Sequence, residues 1–246
     1  MSSTAESAPV LSVVVPVKDE ADNIAPLLAE IYAALEGEAF EVVYVDDGSR
    51  DETPSRLAEA QARYPSLRIV THRTSAGQSA ALWSGINAAR GPLIATLDGD
   101  GQNDPADIKR LLSLARGRDP TRAFLIAGIR TKRQDNWVKR MSSRIANGVR
   151  ARMLGDATPD TGCGLKLFPR ATYLALPRFD HMHRFLPALI RREGSEVELC
   201  PVNHRPRRAG RSKYGVMNRL WVGLVDLAGV MWLQRRAMRP DIRSPE

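Results

Sequence analysis

Short apolar segments alternate with segments of helical periodicity along the first half of this chain. Apolar runs with the length of a buried strand occupy positions 12–16, 41–45, 67–70, 93–97 and 124–129. Between them, apolar residues recur at helical spacing over residues 24–35 and 80–89, and another helix is predicted to begin at Asp51 or Thr53, with Pro54 in its first turn. Strands and helices joined by short loops predict an α/β fold with a mostly parallel sheet and helices on both faces.

Polar residues follow four of these predicted strands directly. They occupy positions 16–20, 46–51 and 98–102 and Arg130. Residues such as Asp, Gly and Asn after a strand commonly do no more than form a turn. The carboxyl ends of parallel strands, however, meet at one edge of the sheet, where ligands collect. Four polar strand ends on one edge therefore indicate a binding crevice better than four independent turns.

The segment Asp98-Gly99-Asp100-Gly101-Gln102 directly follows the apolar strand predicted at 93–97. Two carboxylates two residues apart can point the same way and share a hard divalent cation. A nucleotide diphosphate needs such a cation to neutralise its charge. A calcium loop would require Glu near its twelfth position, where this chain has Lys109. The pattern favours a metal–diphosphate site over calcium storage.

The net charge of +8 is concentrated in two basic regions. Residues 130–152 hold eight Lys or Arg against one acid, and residues 205–239 hold nine against one. Such regions can be solvated surface, or can bind nucleic acid, an anionic membrane or a phosphorylated small molecule. Aromatic residues are sparse and no nucleic-acid-binding module is recognisable, so nucleic acid is not an expected partner.

Cysteine content and hydropathy indicate a cytosolic chain. Cys163 and Cys200 are too few for a disulfide scaffold, and residues 1–9, a predicted disordered tail, carry no secretory signal. The longest apolar stretch, residues 220–233, contains Asp226 and is shorter than the ~20 residues that span a bilayer. We therefore predict no transmembrane helix.

Several motifs in order along the chain resemble one enzyme family. They are Val15-Pro16-Val17-Lys18-Asp19-Glu20, Val45-Asp46-Asp47-Gly48-Ser49-Arg50-Asp51, Ala76-Gly77-Gln78-Ser79-Ala80, Leu97-Asp98-Gly99-Asp100-Gly101-Gln102, Ser143-Arg144-Ile145-Ala146-Asn147, Asp160-Thr161-Gly162-Cys163-Gly164-Leu165-Lys166 and Arg207-Arg208-Ala209-Gly210-Arg211-Ser212-Lys213-Tyr214. Over residues 10–215 this pattern resembles the inverting family 2 glycosyltransferases of the GT-A fold. Within them it is most similar to the polyprenyl-phosphate glycosyltransferases, the group of dolichol-phosphate mannosyltransferase. The resemblance implies a glycosyltransferase domain over residues 10–215.

The resemblance also implies a role for individual residues. Pro16, Glu20, Asp46 and Asp47 match positions that hold the nucleoside of the donor, and Asp98, Asp100 and Gln102 match those that hold Mg or Mn with the diphosphate. Arg130, Lys139 and Ser143 match positions that receive the acceptor phosphate, and Arg207 and Lys213 match those that grip the donor diphosphate. Asp100, Gln102 and Arg130 are the expected catalytic residues. Carboxylate and amide oxygens suit a hard cation, and Arg suits bidentate phosphate binding, so side-chain chemistry agrees.

A phosphate acceptor would remove the need for a general base. The second pKa of a phosphate monoester lies near ~6, so the nucleophile is already largely dianionic at neutral pH. The four histidines, His72, His181, His183 and His204, are expected to be structural or surface residues. Cys163 is expected to be a buried small residue rather than a nucleophile. Placing two anions together and stabilising the leaving diphosphate would supply the catalysis, with inversion at the anomeric carbon.

Residues 216–246 are predicted to form an interfacial helix and a tail. Trp221 and Trp232 followed by Arg235, Arg236 and Arg239 have the composition of a helix at a membrane surface, although a core helix with a charged end has a similar pattern. Peripheral association with the inner face of the cytoplasmic membrane is therefore the expectation. An integral-membrane partner or a homo-oligomer is another possible means of retention.

Two other functions fit parts of the pattern. Transfer to a saccharide or other hydroxyl would require a carboxylate base, for which Asp160 is the candidate. A non-catalytic binder of nucleotides or nucleic acid would give no reason for the cluster of Asp98, Asp100 and Gln102. The sugar and the nucleotide base, UDP- or GDP-linked, are not fixed by the sequence.

Overall fold

A seven-stranded sheet forms the centre of the protein. The computed structural model describes residues 8–130, 148, 150, 152–156, 158–206 and 216–237, with side chains of the last segment described from residue 223. The strands are β1 Leu11–Val17, β2 Phe40–Asp46, β3 Leu67–Thr71, β4 Leu93–Thr96, β5 Phe124–Arg130, β6 Lys166–Pro169 and β7 Glu196–Val202. Their order is β3-β2-β1-β4-β6-β5-β7, and the α/β sheet expected from the sequence is confirmed.

All strand pairs are parallel except those of β6. The register of β1 aligns Val14 with Val43 of β2 and with Thr96 of β4, so these three strands end at the same edge. β6 runs antiparallel to β4 and to β5, and β7 returns parallel to β5. The sheet is thus mixed, and the antiparallel strand β6 begins beside the last residue of β4.

Helices cover both faces of the sheet. They are α1 Ala21–Ala34, α2 Thr53–Arg63, α3 Gln78–Ala88, α4 Asp107–Ala115, α5 Arg170–Ala175, α6 Leu186–Arg192 and α7 Val216–Arg235, with a 3-10 turn at Met182–Arg184. Helices α1, α2 and α4 bury Leu28, Leu57 and Leu111 on one face. Helices α3, α5, α6 and α7 pack on the other, where Ile86 and Val230 are fully buried. Over the part of the chain described, no helix has the length and apolarity that crossing a bilayer requires.

The predicted elements are confirmed in the first half of the chain, with shifted ends. Helix α2 begins at Thr53, with Glu52 rather than Asp51 or Thr53 in the capping position. The Asp51 carboxylate still accepts a hydrogen bond from the backbone N–H of Thr53, two residues later, at 2.9 Å. Helix α3 begins at Gln78, two residues earlier than predicted, and α7 ends at Arg235. Elements α4, α5, α6, β6 and β7 were not predicted.

Candidate active site

The carboxyl ends of β1, β2, β4 and β5 lie along one edge of the sheet, as the sequence predicted. That edge carries Pro16, Glu20, Asp46, Asp47, Asp98, Asp100, Gln102 and Arg130, at or just after the ends of these four strands. The other four predicted site residues, Lys139, Ser143, Arg207 and Lys213, lie outside the described residues. The first eight residues therefore line one rim, and their individual roles stay predictions.

Asp98 and Asp100 form the centre of this rim. Gln78, the first residue of α3, donates from Nε2 to Asp98 Oδ1 at 2.9 Å, and Asp100 Oδ1 accepts the backbone N–H of Gln102 at 3.1 Å. Burial and, after it, the negative charge of Asp100 raise the pKa of Asp98 to about 6, against the opposing effect of Lys166 and Arg130. The two carboxylates thus repel each other.

A divalent cation would suit this pair of carboxylates. It would offset the repulsion that raises the pKa of Asp98, and carboxylate and amide oxygens are the ligands that Mg²⁺ and Mn²⁺ accept. Among the described residues, no group of three or more His, Cys, Asp or Glu side chains converges as a metal site. Carboxylate and amide donors of this kind suit a cation that shares its coordination with a diphosphate.

Lys166 is a buried cation that sequence reasoning did not select. Its side chain is 4% exposed, and Nζ donates to the carbonyl oxygens of Cys163 and Thr161. Because β6 runs antiparallel, its first residue, Lys166, pairs with Thr96 at the end of β4, next to Asp98. Burial lowers the pKa of Lys166, and the charge of Asp98 is among the effects that oppose this. Lys166 is the last residue of the Asp160–Lys166 motif, which was the available signal, but the sequence assigned it no role.

The loop before Lys166 packs directly on the candidate metal ligand. A Cβ at Gly164 would collide with the Asp98 carboxylate, and a Cβ at Gly99 would collide with the Val17 side chain. The Gly164 carbonyl accepts a hydrogen bond from Thr96 Oγ1 at 2.6 Å. Glycine at position 164 therefore allows the loop and the carboxylate to lie in contact.

Asp47 is a structural anchor in this structure. Its Oδ1 accepts from Ala76 N–H at 2.8 Å and bonds His72 Nδ1 at 2.7 Å, while Oδ2 accepts from Ser75 Oγ at 2.7 Å and Gly77 N–H at 2.9 Å. Burial raises the pKa of Asp47, but the four hydrogen bonds outweigh it, so the pKa lies below its usual range. The carboxylate thus holds the 75–77 loop, which leads into α3.

Hydrogen bonds also join the loops that follow β1 and β2. The Asp19 N–H donates to Ser49 Oγ and the Glu20 N–H to Thr53 Oγ1, both at 2.9 Å. Asp46 is buried, and its Oδ1 accepts the Ser49 N–H at 2.9 Å. These bonds place Pro16, Glu20, Asp46 and Asp47 in one connected wall, the part of the rim predicted to hold the nucleoside.

Arg130 is held by Asp160 at the other end of the rim. Its Nε and Nη2 donate to the two carboxylate oxygens of Asp160, each at 2.6 Å, and its backbone N–H donates at 3.2 Å. This fork uses two of the five side-chain N–H groups of Arg130 and leaves three for an anion. Asp160 is 7% exposed and committed to Arg130, which disfavours its role as a general base.

The segment before Arg207 is fixed beside the candidate metal ligands. The Arg205 N–H donates to the Gln102 carbonyl at 2.8 Å, and the Arg205 side chain contacts Glu30 and Asp104, each at 2.6 Å. Residues 203–206 are thereby attached to the loop that carries Asp100 and Gln102. The chain enters the second basic region at this point.

The expectations for histidine and cysteine are consistent with the structure. His72 bonds Asp47 and Ser84, His181 bonds Asp226 and His183 bonds Ser79, while His204 forms a β-bridge with Asn103. Cys163 is 1% exposed, and burial raises the pKa of its thiol. A buried thiol with a raised pKa is a poor nucleophile, so its expected packing role fits.

Sequence comparison identifies the family. Residues 12–175 match the family described as Glycosyl transferase family 2. The chain belongs to glycosyl transferase family 2. It is 36% identical over 236 residues to dodecaprenyl-phosphate galacturonate synthase of Rhizobium johnstonii, an alignment that covers 94% of this chain and 69% of that protein. It is 37% identical over 212 residues to undecaprenyl-phosphate 4-deoxy-4-formamido-L-arabinose transferase of Edwardsiella ictaluri, covering 84% of this chain and 63% of that protein.

Solved structures of glycosyltransferases share the fold. A mannosyltransferase from Pyrobaculum calidifontis in complex with GDP-Man and Mn²⁺ superposes with a TM-score of 0.66 at 21% identity, covering 95% of this chain and 66% of that one. Glucosyl-3-phosphoglycerate synthase from Mycobacterium tuberculosis with Mg²⁺ and UDP gives 0.67 at 17% identity, covering 93% and 79%. The architecture of this family 2 member is therefore the GT-A type, and the protein is a glycosyltransferase.

Proposed function

We propose that this glycosyltransferase moves a sugar from a UDP- or GDP-linked donor to a polyprenyl phosphate, with Mg²⁺ or Mn²⁺ at Asp98, Asp100 and Gln102. The observation that carries the proposal is the arrangement of the rim. A pair of repelling carboxylates lies between a hydrogen-bonded nucleoside wall and two cations, Lys166 and Arg130. Two curated relatives of this chain carry names that specify polyprenyl phosphates as acceptors, which supports the same acceptor here.

The charges of the rim fit two anionic substrates. The bound cation would neutralise the diphosphate and stabilise it as a leaving group. Arg130, pre-oriented by the two bonds to Asp160, keeps N–H groups for the acceptor phosphate. Lys139 and Ser143 are proposed to join it there, and Arg207 and Lys213 to contact the diphosphate from the segment after Arg205.

Sugar transfer to a phosphate requires the protein mainly to position the two substrates. A phosphate acceptor is largely dianionic at neutral pH, so the absence of a free base candidate at Asp160 is no obstacle. Bringing two anions together is costly in water, and the cations of the rim reduce that cost. A single displacement at the anomeric carbon would then invert its configuration.

The outer surface of α7 suits the membrane that contains such an acceptor. Leu227 and Val230 are buried in the core on that face of the sheet, whereas Leu224, Val225 and Trp232 are 51%, 57% and 60% exposed. Exposed Arg235 and Arg236 follow them at the end of the helix. A helix with outward apolar side chains beside arginines fits an anionic lipid surface, and we propose peripheral attachment to the inner face of the cytoplasmic membrane.

A donor screen followed by a transfer assay tests the function. UDP, GDP and their common sugar conjugates are tested for thermal stabilisation of the protein with and without Mn²⁺, and a stabilising conjugate is then incubated with undecaprenyl phosphate. We expect a sugar linked to lipid phosphate, and at least about 100-fold slower transfer in Asp100→Ala.

Asp119→Ala, which changes an exposed loop away from the rim, is the matched control and should retain activity. Full activity of Asp100→Ala would overturn the metal assignment. Transfer of the sugar only to hydroxyl acceptors would overturn the assignment of polyprenyl phosphate as the acceptor.

A further inference from the structure

His183 combines a fixed orientation with an unused hydrogen-bond donor. It lies in the 3-10 turn Met182–Arg184, and its backbone N–H donates to Ser79 Oγ at 3.4 Å. Ser79 Oγ lies 2.7 Å from His183 Nδ1. Within the described segments, Nδ1 is the acceptor that lies within reach of the Ser79 hydroxyl hydrogen, so we assign Nδ1 as the acceptor and the ring hydrogen to Nε2.

The ring is connected to the candidate metal ligand Asp98 through the start of α3. Its partner Ser79 is buried in the first turn of α3, and the preceding residue, Gln78, donates to Asp98. The charge of Lys166 acts both on His183 and on Asp98, which places all three in one electrostatic neighbourhood. Nε2 makes no hydrogen bond to any residue of the described segments and is not sealed from solvent.

The surroundings keep the imidazole neutral. Burial lowers the pKa of His183 to about 3, and the nearby charges of Lys166, Arg184 and His181 act in the same direction. Its turn is also held firmly, because Met182 and Phe185 are buried and His181 bonds Asp226 of α7 at 3.0 Å. His183 is therefore a rigid, uncharged donor at physiological pH.

A neutral donor suits a sugar better than a diphosphate. Arg130 keeps N–H groups for phosphate oxygens on this rim, and the positive charge of Lys166 acts on Asp98. The nucleoside wall, at the ends of β1 and β2, reaches the start of α3 through the bonds of Asp47 to Ala76 and Gly77. The sugar of the donor has hydroxyl or carboxylate oxygens, and each of these can accept a hydrogen bond from a neutral N–H group.

Resting on the proposed function, we propose that His183 donates a hydrogen bond from Nε2 to an oxygen of the transferred sugar and so contributes to donor-sugar selection. Ser79 acts as a positioning residue, because it fixes the tautomer that makes Nε2 the donor. The residue contacts the donor only when a sugar is attached to the diphosphate.

Affinities for donors with and without the sugar test this role. Dissociation constants are measured in Mn²⁺ for UDP and GDP and for UDP-glucose, UDP-galacturonic acid and GDP-mannose, in wild type, His183→Ala and His183→Gln. In His183→Ala we expect about tenfold weaker binding of the preferred sugar nucleotide, the value of one hydrogen bond, and less than about twofold change for its nucleoside diphosphate. His183→Gln, which places an amide N–H near Nε2, should restore most of the difference.

Arg184→Gln, an exposed change in the same turn, is the matched control and should behave as wild type. Equal weakening of the sugar nucleotide and the nucleoside diphosphate in His183→Ala, or no weakening of either, would overturn the role of His183 alone. If His183→Ala does not fold, the other two variants decide. The role of His183 is overturned if Ser79→Ala keeps the wild-type preference for the sugar nucleotide and His183→Gln does not. Failure of wild type to bind any nucleoside diphosphate with Mn²⁺ would overturn the proposed function together with this role.

Discussion

At the scale of single residues, two aspartates at strand ends have opposite environments. Asp47 accepts four hydrogen bonds and its pKa is below the usual range, whereas the pKa of Asp98 is raised to about 6 by burial and by Asp100. Both follow a buried strand, so the sequence assigned both to ligand binding. Only the partners of each carboxylate distinguish an anchor of the loop from a candidate metal ligand.

Asp47→Asn should destabilise the protein by about 2–4 kcal/mol at pH 7. The amide NH₂ group of Asn would face N–H groups that are also donors, and the backbone donors among them cannot reorient. The Ser75 hydroxyl can reorient, but the Gly77 N–H cannot. Since the folded pKa of Asp47 is below the unfolded value, its contribution is present above about pH 4 and is lost as pH falls through the folded pKa. Urea unfolding of wild type and variant at pH 7 and at pH 3 measures both effects.

Asp51→Asn is the matched control, because its carboxylate also accepts two backbone N–H bonds but is exposed. We expect it to cost less than about 1 kcal/mol. A loss for Asp47→Asn that is no larger than that of the control would contradict the anchoring role.

At the scale of elements, the direction of β6 decides the composition of the site. A parallel strand would put its last residue at the rim, but β6 is antiparallel and puts its first residue, Lys166, there. The strand has only four residues, and β7 is an edge strand in which Glu196 is exposed, so neither has the long apolar run of β1 or β2. The predicted strands were those with mostly apolar runs, which are visible without tertiary information, whereas β6 is buried at all four positions but begins with Lys166 and ends with Pro169.

Gly164→Ala should displace the Asp98 carboxylate, because its Cβ would occupy the same space. We expect at least about tenfold weaker Mn²⁺-dependent binding of the preferred nucleoside diphosphate, measured by calorimetry, with the fold retained. Gly229→Ala, at a helical position with open space around its Cβ, is the control and should bind normally. Unchanged Mn²⁺ dependence in Gly164→Ala would show that Asp98 does not need its present position.

At the scale of the whole molecule, α7 has one side packed on the core and another side that forms an exposed apolar surface. One side of the helix joins the core through Leu227 and Val230, and Asp226 bonds His181 next to the turn of His183. The other side carries Leu224, Val225 and Trp232 outward. Helical periodicity in the sequence did not separate these two sides, because apolar residues occupy both.

Trp232→Ser should reduce co-sedimentation of the protein with anionic phosphatidylglycerol vesicles at low salt by about tenfold, through loss of buried aromatic surface. Binding to neutral phosphatidylcholine vesicles should be weaker in wild type, because the arginines at the end of α7 then lose their partner charge. Leu114→Ser, an exposed apolar position on α4, is the control and should not alter binding. Equal binding of wild type and Trp232→Ser would contradict attachment through this surface.

The sequence by itself determined the alternation of strands and helices, the edge on which the polar strand ends meet, and the family, because apolar periodicity and short motifs are local properties of the chain. The tertiary structure decided the reversed strand that places Lys166 beside Asp98, the fork between Arg130 and Asp160, and the bond that orients His183. Each of these joins residues distant in sequence, such as Ser79 and His183, which are 104 positions apart. Their partners are set by sheet order and packing, which no local pattern encodes.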